Sequence, residues 1–115
     1  MTDQLRLRTV EWTPARIVAI GLALVSSILH FALAATTGDA VFAALGVGLL
    51  SGFVVFFTEL WSPILYLIGA LYVGTATVVW LLAGMPLFVL GAVDAAVQTV
   101  LFVLFVYLFV VESSR

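Results

Sequence analysis

The sequence is made of long apolar runs that are interrupted at only three places, and this pattern strongly restricts what the chain can fold into. The interruptions are the short segments 36–39 (TTGD), 59–63 (ELWSP) and 83–86 (AGMP). Each run between them reaches the roughly 20 residues that a helix needs to cross the hydrocarbon core of a bilayer. Only 9% of the residues are charged and the mean hydropathy is +1.35, which excludes a water-soluble core. The sequence therefore predicts an all-α fold, a bundle of four transmembrane helices.

Helix start and stop signals mark the ends of these runs. Thr13 is a suitable N-cap with Pro14 at the first helical position, and Asp39 can cap the second run. A glycine after an apolar run marks the end of a helix, and a proline at the start of the next run marks the beginning of another. We therefore expect an interfacial N-terminal segment, a single four-span transmembrane domain and a short cytoplasmic tail, at 1–13, 14–111 and 112–115. The expected spans are about 14–35, 39–60, 63–83 and 86–111.

A short motif recurs at the predicted starts of the first and third spans. Residues 12–14 (WTP) correspond to residues 61–63 (WSP), and a glycine-containing apolar run follows each copy. Such a recurrence is expected of two helical hairpins of similar design. It also arises without duplication, because tryptophan is frequent at membrane interfaces and Ser/Thr-Pro is frequent at helix starts. The sequence leaves both interpretations open.

The basic residues predict the orientation of the bundle. The chain has four of them, Arg6, Arg8, Arg16 and Arg115, near its two ends, and none lies in the interruptions between the runs. An even number of spans places both ends on one side of the membrane, and arginine accumulates on the cytoplasmic side. The prediction is a multi-pass protein of the cell membrane with both termini in the cytoplasm.

Small residues form one ridge along the second span. Ala40, Ala44, Gly48 and Gly52 recur every four residues and therefore lie on one helix face. A face of small residues favours helix packing in lipid, because it lets a neighbouring backbone approach closely. We expect this ridge to contact another helix.

Two ionisable residues lie deep in the apolar runs, at matched depth. Counted at about 1.5 Å per residue from the turns, His30 lies about 10 Å and Asp94 about 12 Å below the boundary. Ser26 shares the helix face of His30 one turn deeper, and Gln98 shares the face of Asp94. Thr75 of the third span reaches nearly the same level. The sequence therefore predicts one intramembrane hydrogen-bonded cluster of Asp94, His30, Gln98, Ser26 and Thr75.

A carboxyl group at this depth needs partners, since an ionised carboxylate in lipid costs about 2.5–3.5 kcal/mol on insertion scales. Either a neutral Asp94 donates to His30 or a carboxylate pairs with imidazolium, and the sequence does not choose between them. The cluster has three interpretations: a device that fixes packing and register, a proton or cation pathway, or a small-ligand site. The cluster has one acid and one base, and no series of titratable groups leads from it toward the cytoplasmic side. This favours the interpretation as a device that fixes packing and register.

The residue types disfavour enzymatic and cofactor chemistry. The chain has no cysteine, which removes disulfides, thiolate nucleophiles and cysteine metal sites. A triad of Ser26, His30 and Asp94 is disfavoured because the serine and the histidine share one helix at a depth that water scarcely reaches. A single histidine is a poor basis for haem or zinc ligation, and dispersed arginines make no nucleic-acid footprint. We therefore expect no catalytic residue, cofactor, metal or nucleic-acid partner.

The absence of lysine, the acidic balance and the abundance of Ala, Val and Gly resemble the composition of halophile proteins. With its four short spans, the whole chain resembles small four-helix integral membrane proteins of halophilic archaea, and this resemblance implies the fold. Its length and span number are also similar to those of small multidrug transporters. Those transporters centre on a glutamate in the first helix, where this chain has Ser26, Ser27 and His30. Fluoride channels share the size, but they are dual-topology dimers, which the one-sided arginines argue against.

These observations favour a small non-enzymatic integral membrane protein, a structural or accessory subunit with a buried polar cluster between its helices. The first alternative is a minimal proton or cation transporter or channel component that uses His30 and Asp94. The second alternative is a binder of lipid or of a small apolar ligand. The expected partners are the lipid bilayer and either further copies of the chain or a larger membrane complex.

Overall fold

The computed structural model describes residues 6–114, which form four helices in the order of the predicted spans. α1 comprises Pro14–Thr37, α2 Ala40–Phe56, α3 Ile64–Leu82 and α4 Phe88–Ser113. The predicted all-helical architecture is confirmed for this part of the chain. The largest difference lies in α2, which was expected to reach about residue 60 and instead ends at Phe56.

Three of the helices within residues 6–114 are long and apolar enough to cross a membrane, as judged by length and composition. They are α1 with 24 residues, α3 with 19 residues and α4 with 26 residues. α2 is apolar as well, but it has only 17 residues. These lengths are compatible with a small membrane protein in which one helix is shorter than the others.

Side-chain caps explain where the first two helices begin. Thr13 Oγ1 accepts a hydrogen bond from the backbone N–H of Arg16 at 3.2 Å, and Asp39 Oδ1 accepts one from Val41 at 2.9 Å. Gly38 ends α1 in the left-handed conformation, with a φ of 73°, which a glycine adopts without steric cost. The signals in the sequence therefore act at these helix ends as predicted.

The two copies of the recurring W-[ST]-P motif start their helices differently. Thr13 caps α1 with its side chain, whereas the N-cap position of α3 is Pro63 and makes no side-chain cap hydrogen bond. At α3 the backbone carbonyl of Ser62 accepts from the N–H of Leu65 at 2.9 Å. The two motifs are alike in sequence but not in capping geometry.

α4 begins after a tight turn. Gly84, Met85 and Leu87 all have positive φ, at 88°, 57° and 47°, and this region is unstrained only for the glycine. The indole N–H of Trp80 donates to the carbonyl of Pro86 at 3.0 Å. This hydrogen bond holds the strained turn against the end of α3.

The contact between α1 and α4 joins two helical hairpins. α1 packs against α2, and α3 packs against α4, while α2 and α3 touch each other at few points. One of these points is Tyr72, whose hydroxyl donates to the carbonyl of Leu45 at 2.7 Å. The bundle therefore has a tightly packed side along α1 and α4 and a loosely packed side between α2 and α3.

The small-residue ridge of α2 makes a close contact at one of its four predicted positions. A Cβ atom at Gly48 would collide with the ring of Tyr72, so this contact requires a glycine. The close approach to α1 is made instead at Gly46, which is buried against Phe31. The remaining ridge positions are exposed, and they are Ala40, Ala44 and Gly52.

Buried residues form a regular stripe on α1 and on α4. Their spacing alternates between three and four residues, which keeps them on one face and is the spacing of a heptad-type interface. The stripe on α1 consists of Arg16, Ala19, Ala23, Ser26, His30 and Leu33. The stripe on α4 consists of Gly91, Asp94, Gln98, Leu101, Phe105 and Leu108. Polar and apolar residues thus share the same buried face.

The two ends of the bundle differ in structure. The α1–α2 and α3–α4 turns lie at one end, which we call the two-turn end. At the other, terminal end, segment 6–13 is held along the α2–α3 connection by an isolated antiparallel bridge. Arg8 Nε donates to the carbonyl of Phe56 at 2.6 Å, and the guanidinium lies 4.5 Å from the centre of the Phe56 ring. Residues 1–5, which belong to the predicted interfacial segment, lie outside the described residues.

An ion pair links α1 to α4 at the terminal end. Arg16 Nη2 and Nε donate to the two carboxylate oxygens of Glu112, at 2.6 and 2.9 Å, in the bidentate geometry that suits guanidinium. Tyr66 of α3 donates its hydroxyl to the same carboxylate at 2.8 Å. The sequence analysis had assigned Glu112 to the tail, but α4 continues to Ser113 and places it in the last helical turn.

Removing the charge of Glu112 is expected to destabilise the bundle. In Glu112→Gln the Arg16 side chain, which is 10% exposed, stays buried without a counter-charge. We expect the free energy of unfolding to fall by about 3–5 kcal/mol, measured by denaturant titration in detergent micelles. The control Glu59→Gln alters an exposed carboxylate at the same end. It should change the free energy of unfolding by less than about 0.5 kcal/mol. Equal losses in both variants would contradict a specific role of the ion pair.

Candidate functional site

The buried polar side chains of three helices meet in one cluster. α1 contributes Ser26 and His30, α4 contributes Asp94 and Gln98, and α3 contributes Thr77. The residues from α1 and α4 are between 0% and 4% exposed. Four of these five residues belong to the cluster that the sequence analysis predicted, and they are Ser26, His30, Asp94 and Gln98.

The carboxylate of Asp94 is surrounded by hydrogen-bond donors. Ser26 Oγ donates to Oδ1 at 2.7 Å, and Gln98 Nε2 donates to Oδ2 at 3.3 Å. His30 Nδ1 lies 3.3 Å from Oδ2 and forms a buried acid–imidazole pair with it. A buried carboxylate is stable only with such partners, and α1 supplies two of the three groups.

Both ring nitrogens of His30 lie within hydrogen-bond distance of polar groups. Nδ1 lies 2.7 Å from the backbone carbonyl of Ser26, which can only accept, so Nδ1 carries a proton. Nε2 lies 3.1 Å from the side-chain amide of Gln98, and the orientation of that amide decides whether Nε2 accepts or donates.

The sequence analysis left open whether a neutral Asp94 donates to His30 or a carboxylate pairs with imidazolium. The structure brings the two side chains together as a buried acid–imidazole pair. Ser26 and Gln98 also contact the carboxyl oxygens of Asp94, so α1 and α4 both hold the pair in place.

Thr77 completes the cluster where the sequence analysis had placed Thr75. The Thr77 hydroxyl donates to Gln98 Oε1 at 2.5 Å, whereas Thr75 is exposed and lines a shallow groove between α2 and α3. Two helical residues that are two positions apart point in nearly opposite directions, at about 100° per residue.

A periodic signal in α3 would have found Thr77. The buried residues of this helix are Tyr66, Ala70, Val73 and Ala76, and the first three are spaced by four and three residues. Continuing that pattern by four residues leads to Thr77 and not to Thr75. Depth alone did not distinguish the two threonines, because both lie near the level of the cluster.

A cavity of about 410 Å³ leads from the two-turn end to the cluster. Thr37 and Asp39 of the first turn and Pro86 of the second turn lie at its rim, while His30 and Asp94 are at its base. The loose contact between α2 and α3 leaves this space open within the bundle. The buried acid–imidazole pair is therefore reached from one end of the protein.

The indole of Trp80 forms one wall of this cavity. The ring lies over Gly91, where a Cβ atom would collide with it. It also stacks with Phe88, with ring centroids 6.3 Å apart and an angle of 27° between the planes. The absence of a side chain at Gly91 thus sets the position of an aromatic surface beside Asp94 and the turn.

The described charges are divided between the two ends of the bundle. Arg8 and Arg16 bind groups at the terminal end. Asp39 and Asp94 line the cavity at the two-turn end, whose lining includes no arginine or lysine among the described residues. His30 is the one basic side chain of this described lining, so Asp39 leaves the cavity with a net negative charge in either arrangement of the Asp94–His30 pair.

A second, apolar cavity of about 230 Å³ lies between α2 and α3 toward the terminal end. Its lining includes Gly52, Phe56, Trp61 and Phe105, and it contains no charged side chain among the described residues. Aromatic rings separate it from the terminal end, as in the edge contact of Phe56 with Trp61, whose centroids are 4.8 Å apart. This space suits an apolar occupant and not an ion.

Comparison of the chain with family models, with curated proteins and with solved structures gives no match. The function must therefore be argued from the geometry of the chain itself.

The two threonines of α3 provide a matched test of the cluster. Thr77→Val keeps the shape of the side chain but leaves Gln98 Oε1 without its donor. We expect the free energy of unfolding in detergent to fall by about 1–2 kcal/mol. Thr75→Val changes an exposed hydroxyl, so its free energy of unfolding should stay within about 0.5 kcal/mol of that of the unchanged protein. A larger loss in Thr75→Val would contradict the cluster described above.

Proposed function

We propose that this chain is a small integral membrane protein with four spans, and that it acts as a non-enzymatic structural or accessory subunit. Its outer surface supports the membrane location, because the large side chains that it exposes are mostly apolar. Leu71, Leu82, Phe88 and Val89 are between 62% and 83% exposed. In water such a surface would drive association, whereas lipid accommodates it.

The short helix α2 is compatible with a fourth span. Its 17 residues extend over about 25 Å, somewhat less than the roughly 30 Å of a typical hydrocarbon core. A short helix crosses when the bilayer thins or when flanking residues reach the interface. Trp12 and Trp61, which flank this helix in space at the terminal end, are residues that favour the interface.

The proposed orientation places the terminal end in the cytoplasm. Arg6, Arg8 and Arg16 belong to this end of the bundle, and arginine favours the cytoplasmic side. The two turns, with Asp39 and the opening of the polar cavity, then face the outside.

The orientation can be tested by cysteine labelling, because the chain itself contains no cysteine. Thr36→Cys and Ser114→Cys each place one thiol at an exposed position, at the two-turn end and at the end of α4. In intact cells an impermeant maleimide should label Thr36→Cys only, and Ser114→Cys should react after permeabilisation. The opposite pattern would reverse the orientation, and labelling of both in intact cells would contradict an even number of spans.

The observation that carries the structural role is the internal pairing of the polar cluster. Asp94, His30 and Gln98 bind one another and the adjacent Ser26 and Thr77, and thereby join α1, α3 and α4. Polar contacts between helices give a bundle in lipid a defined register, because sliding or rotation of one helix would leave the polar groups without partners.

A second candidate, a proton or cation transporter component, is favoured by the cavity that reaches His30 and Asp94. Transport also needs a route from the cluster to the other side. Toward the terminal end lie the ion pair of Arg16 with Glu112, packed rings such as Tyr66 and Phe105, and the apolar cavity, whose described lining contains no charged side chain. Access from one end supports binding at the cluster more than passage through it.

Proton flux separates the two candidates. The protein is reconstituted into liposomes that contain a pH dye, and the decay of an imposed pH gradient is compared with that of Asp94→Asn. We expect equal decay rates, together with a free energy of unfolding that is about 1–3 kcal/mol lower in Asp94→Asn, because its amide cannot accept all the donors. A flux that the unchanged protein supports and Asp94→Asn loses would replace the structural role by transport.

The proposed partners are the bilayer and either further copies of the chain or a larger membrane complex. The loosely packed side between α2 and α3 supports this proposal, because Ala40 and Ala44 leave an exposed small-residue surface there. Such surfaces favour close helix contacts in lipid.

A further inference from the structure

We propose that the cavity at the two-turn end is a binding site for a small organic ammonium ion, with Asp94 at its base, Asp39 at its rim and Trp80 as its aromatic wall. This assignment adds a ligand to the proposed structural role and does not depend on it. The purely structural interpretation accounts for the polar cluster, but it does not account for a cavity that leads to it.

The charge of the cavity selects a cation. Two carboxylates line it, Asp39 and Asp94, and its described lining contains no arginine or lysine to attract an anion. His30 is the one basic side chain of the described lining, so Asp39 leaves the lining with a net negative charge in either arrangement of the Asp94–His30 pair. A cation inside would therefore be attracted, in surroundings that screen charge less than water does.

Asp94 retains the capacity to interact with a ligand. Its Oδ1 accepts from Ser26, and its Oδ2 faces Gln98 and His30. A carboxylate has about four acceptor positions, so these three partners do not exhaust them, and the residue belongs to the cavity lining. The donors from α1 and α4 also fix the orientation of the carboxylate before a ligand arrives.

The walls of the cavity select an organic cation over a small inorganic one. Most of the lining is apolar, with Leu33, Phe42, Leu45 and Val79 among its residues. Such walls offer few oxygen ligands to replace the water around a sodium or calcium ion. Alkyl groups on an ammonium ion fit them by apolar contact, and the indole of Trp80 attracts a cation through its ring electrons.

The volume sets the size of the ligand. A space of about 410 Å³ lies at the lower end of the range of small-molecule sites, about 300–1,000 Å³. Choline carries a quaternary ammonium group and is small enough to enter a space of this volume. 3,3-Dimethylbutan-1-ol has nearly the same shape without the charge, which makes the two compounds a matched pair of probes.

The binding test uses the full chain, labelled with ¹⁵N, in detergent micelles at constant ionic strength. The indole N–H signals of Trp12, Trp61 and Trp80 are followed, with the Trp80 signal assigned by its loss in Trp80→Phe. We expect choline to shift the Trp80 signal in a saturable manner. Trp12 and Trp61 lie at the terminal end and serve as internal controls. The neutral alcohol should bind at least about tenfold more weakly, a difference of about 1.4 kcal/mol.

Variants of the cavity make the test specific. Asp39→Asn removes the rim charge and keeps a good N-cap, so the affinity for choline should fall about two- to fivefold, as for an exposed charge pair. Ala95→Phe fills the cavity from α4 and should abolish the shift, whereas Ala96→Phe, on an exposed face of the same helix, should preserve it. Asp94→Asn should weaken binding at least about tenfold.

The outcomes decide the proposal even where a variant does not fold. If Asp94→Asn is unfolded, the Ala95→Phe and Ala96→Phe pair still tests the location of the site. The proposal is overturned if choline gives no saturable shift, if the neutral alcohol binds equally well, or if Ala95→Phe binds as strongly as Ala96→Phe. A site for apolar ligands would be indicated by the second result and a site elsewhere by the third.

Discussion

The burial of one carboxyl group governs the arrangement of α1 and α4. Asp94 is 4% exposed, and a carboxylate in such surroundings is stable only where donors are already in place. Its own helix contributes Gln98, but Ser26 and His30 come from α1. Part of the contact between the first and last helices is thus tied to the hydrogen bonds of one carboxyl group. Because these donors are directional, they define the rotation of α1 against α4, which apolar contacts alone define less sharply.

The two ends of the bundle differ in what lies between their helices. At the terminal end, the ion pair of Arg16 with Glu112 and a layer of aromatic rings lie between the helices, beside the apolar cavity. At the two-turn end, the separation of α2 from α3 leaves a cavity above the polar cluster. An ion pair and ring contacts therefore join the helices at one end, while the other end opens onto the Asp94–His30 pair. This asymmetry supports a binding site in a bundle for which we propose a structural role.

The polar site was predictable in part, and the physical reasons for success and failure are specific. His30 and Asp94 could be matched because depth along a helix depends only on residue count and rise. Ser26 and Gln98 followed from i, i+4 spacing on the same helices. Thr77 was missed because the choice between it and Thr75 depends on the rotation of α3, and depth carries no information on rotation. Which atoms of Ser26 and Gln98 face the imidazole was also beyond the sequence, because it depends on how α1 packs against α4.

The sequence by itself determined that the chain forms apolar helices, where most of them begin and end, and which polar residues share a level. These properties arise from local chemistry: the length of apolar runs, capping side chains and helical periodicity. Only the tertiary structure decided that α1 and α4 form the closed side of the bundle, that Glu112 pairs with Arg16, and that α2 and α3 separate around a cavity. Those features depend on how whole helix faces fit together, which is a sum over many contacts between residues distant in the chain, and no local pattern encodes that sum.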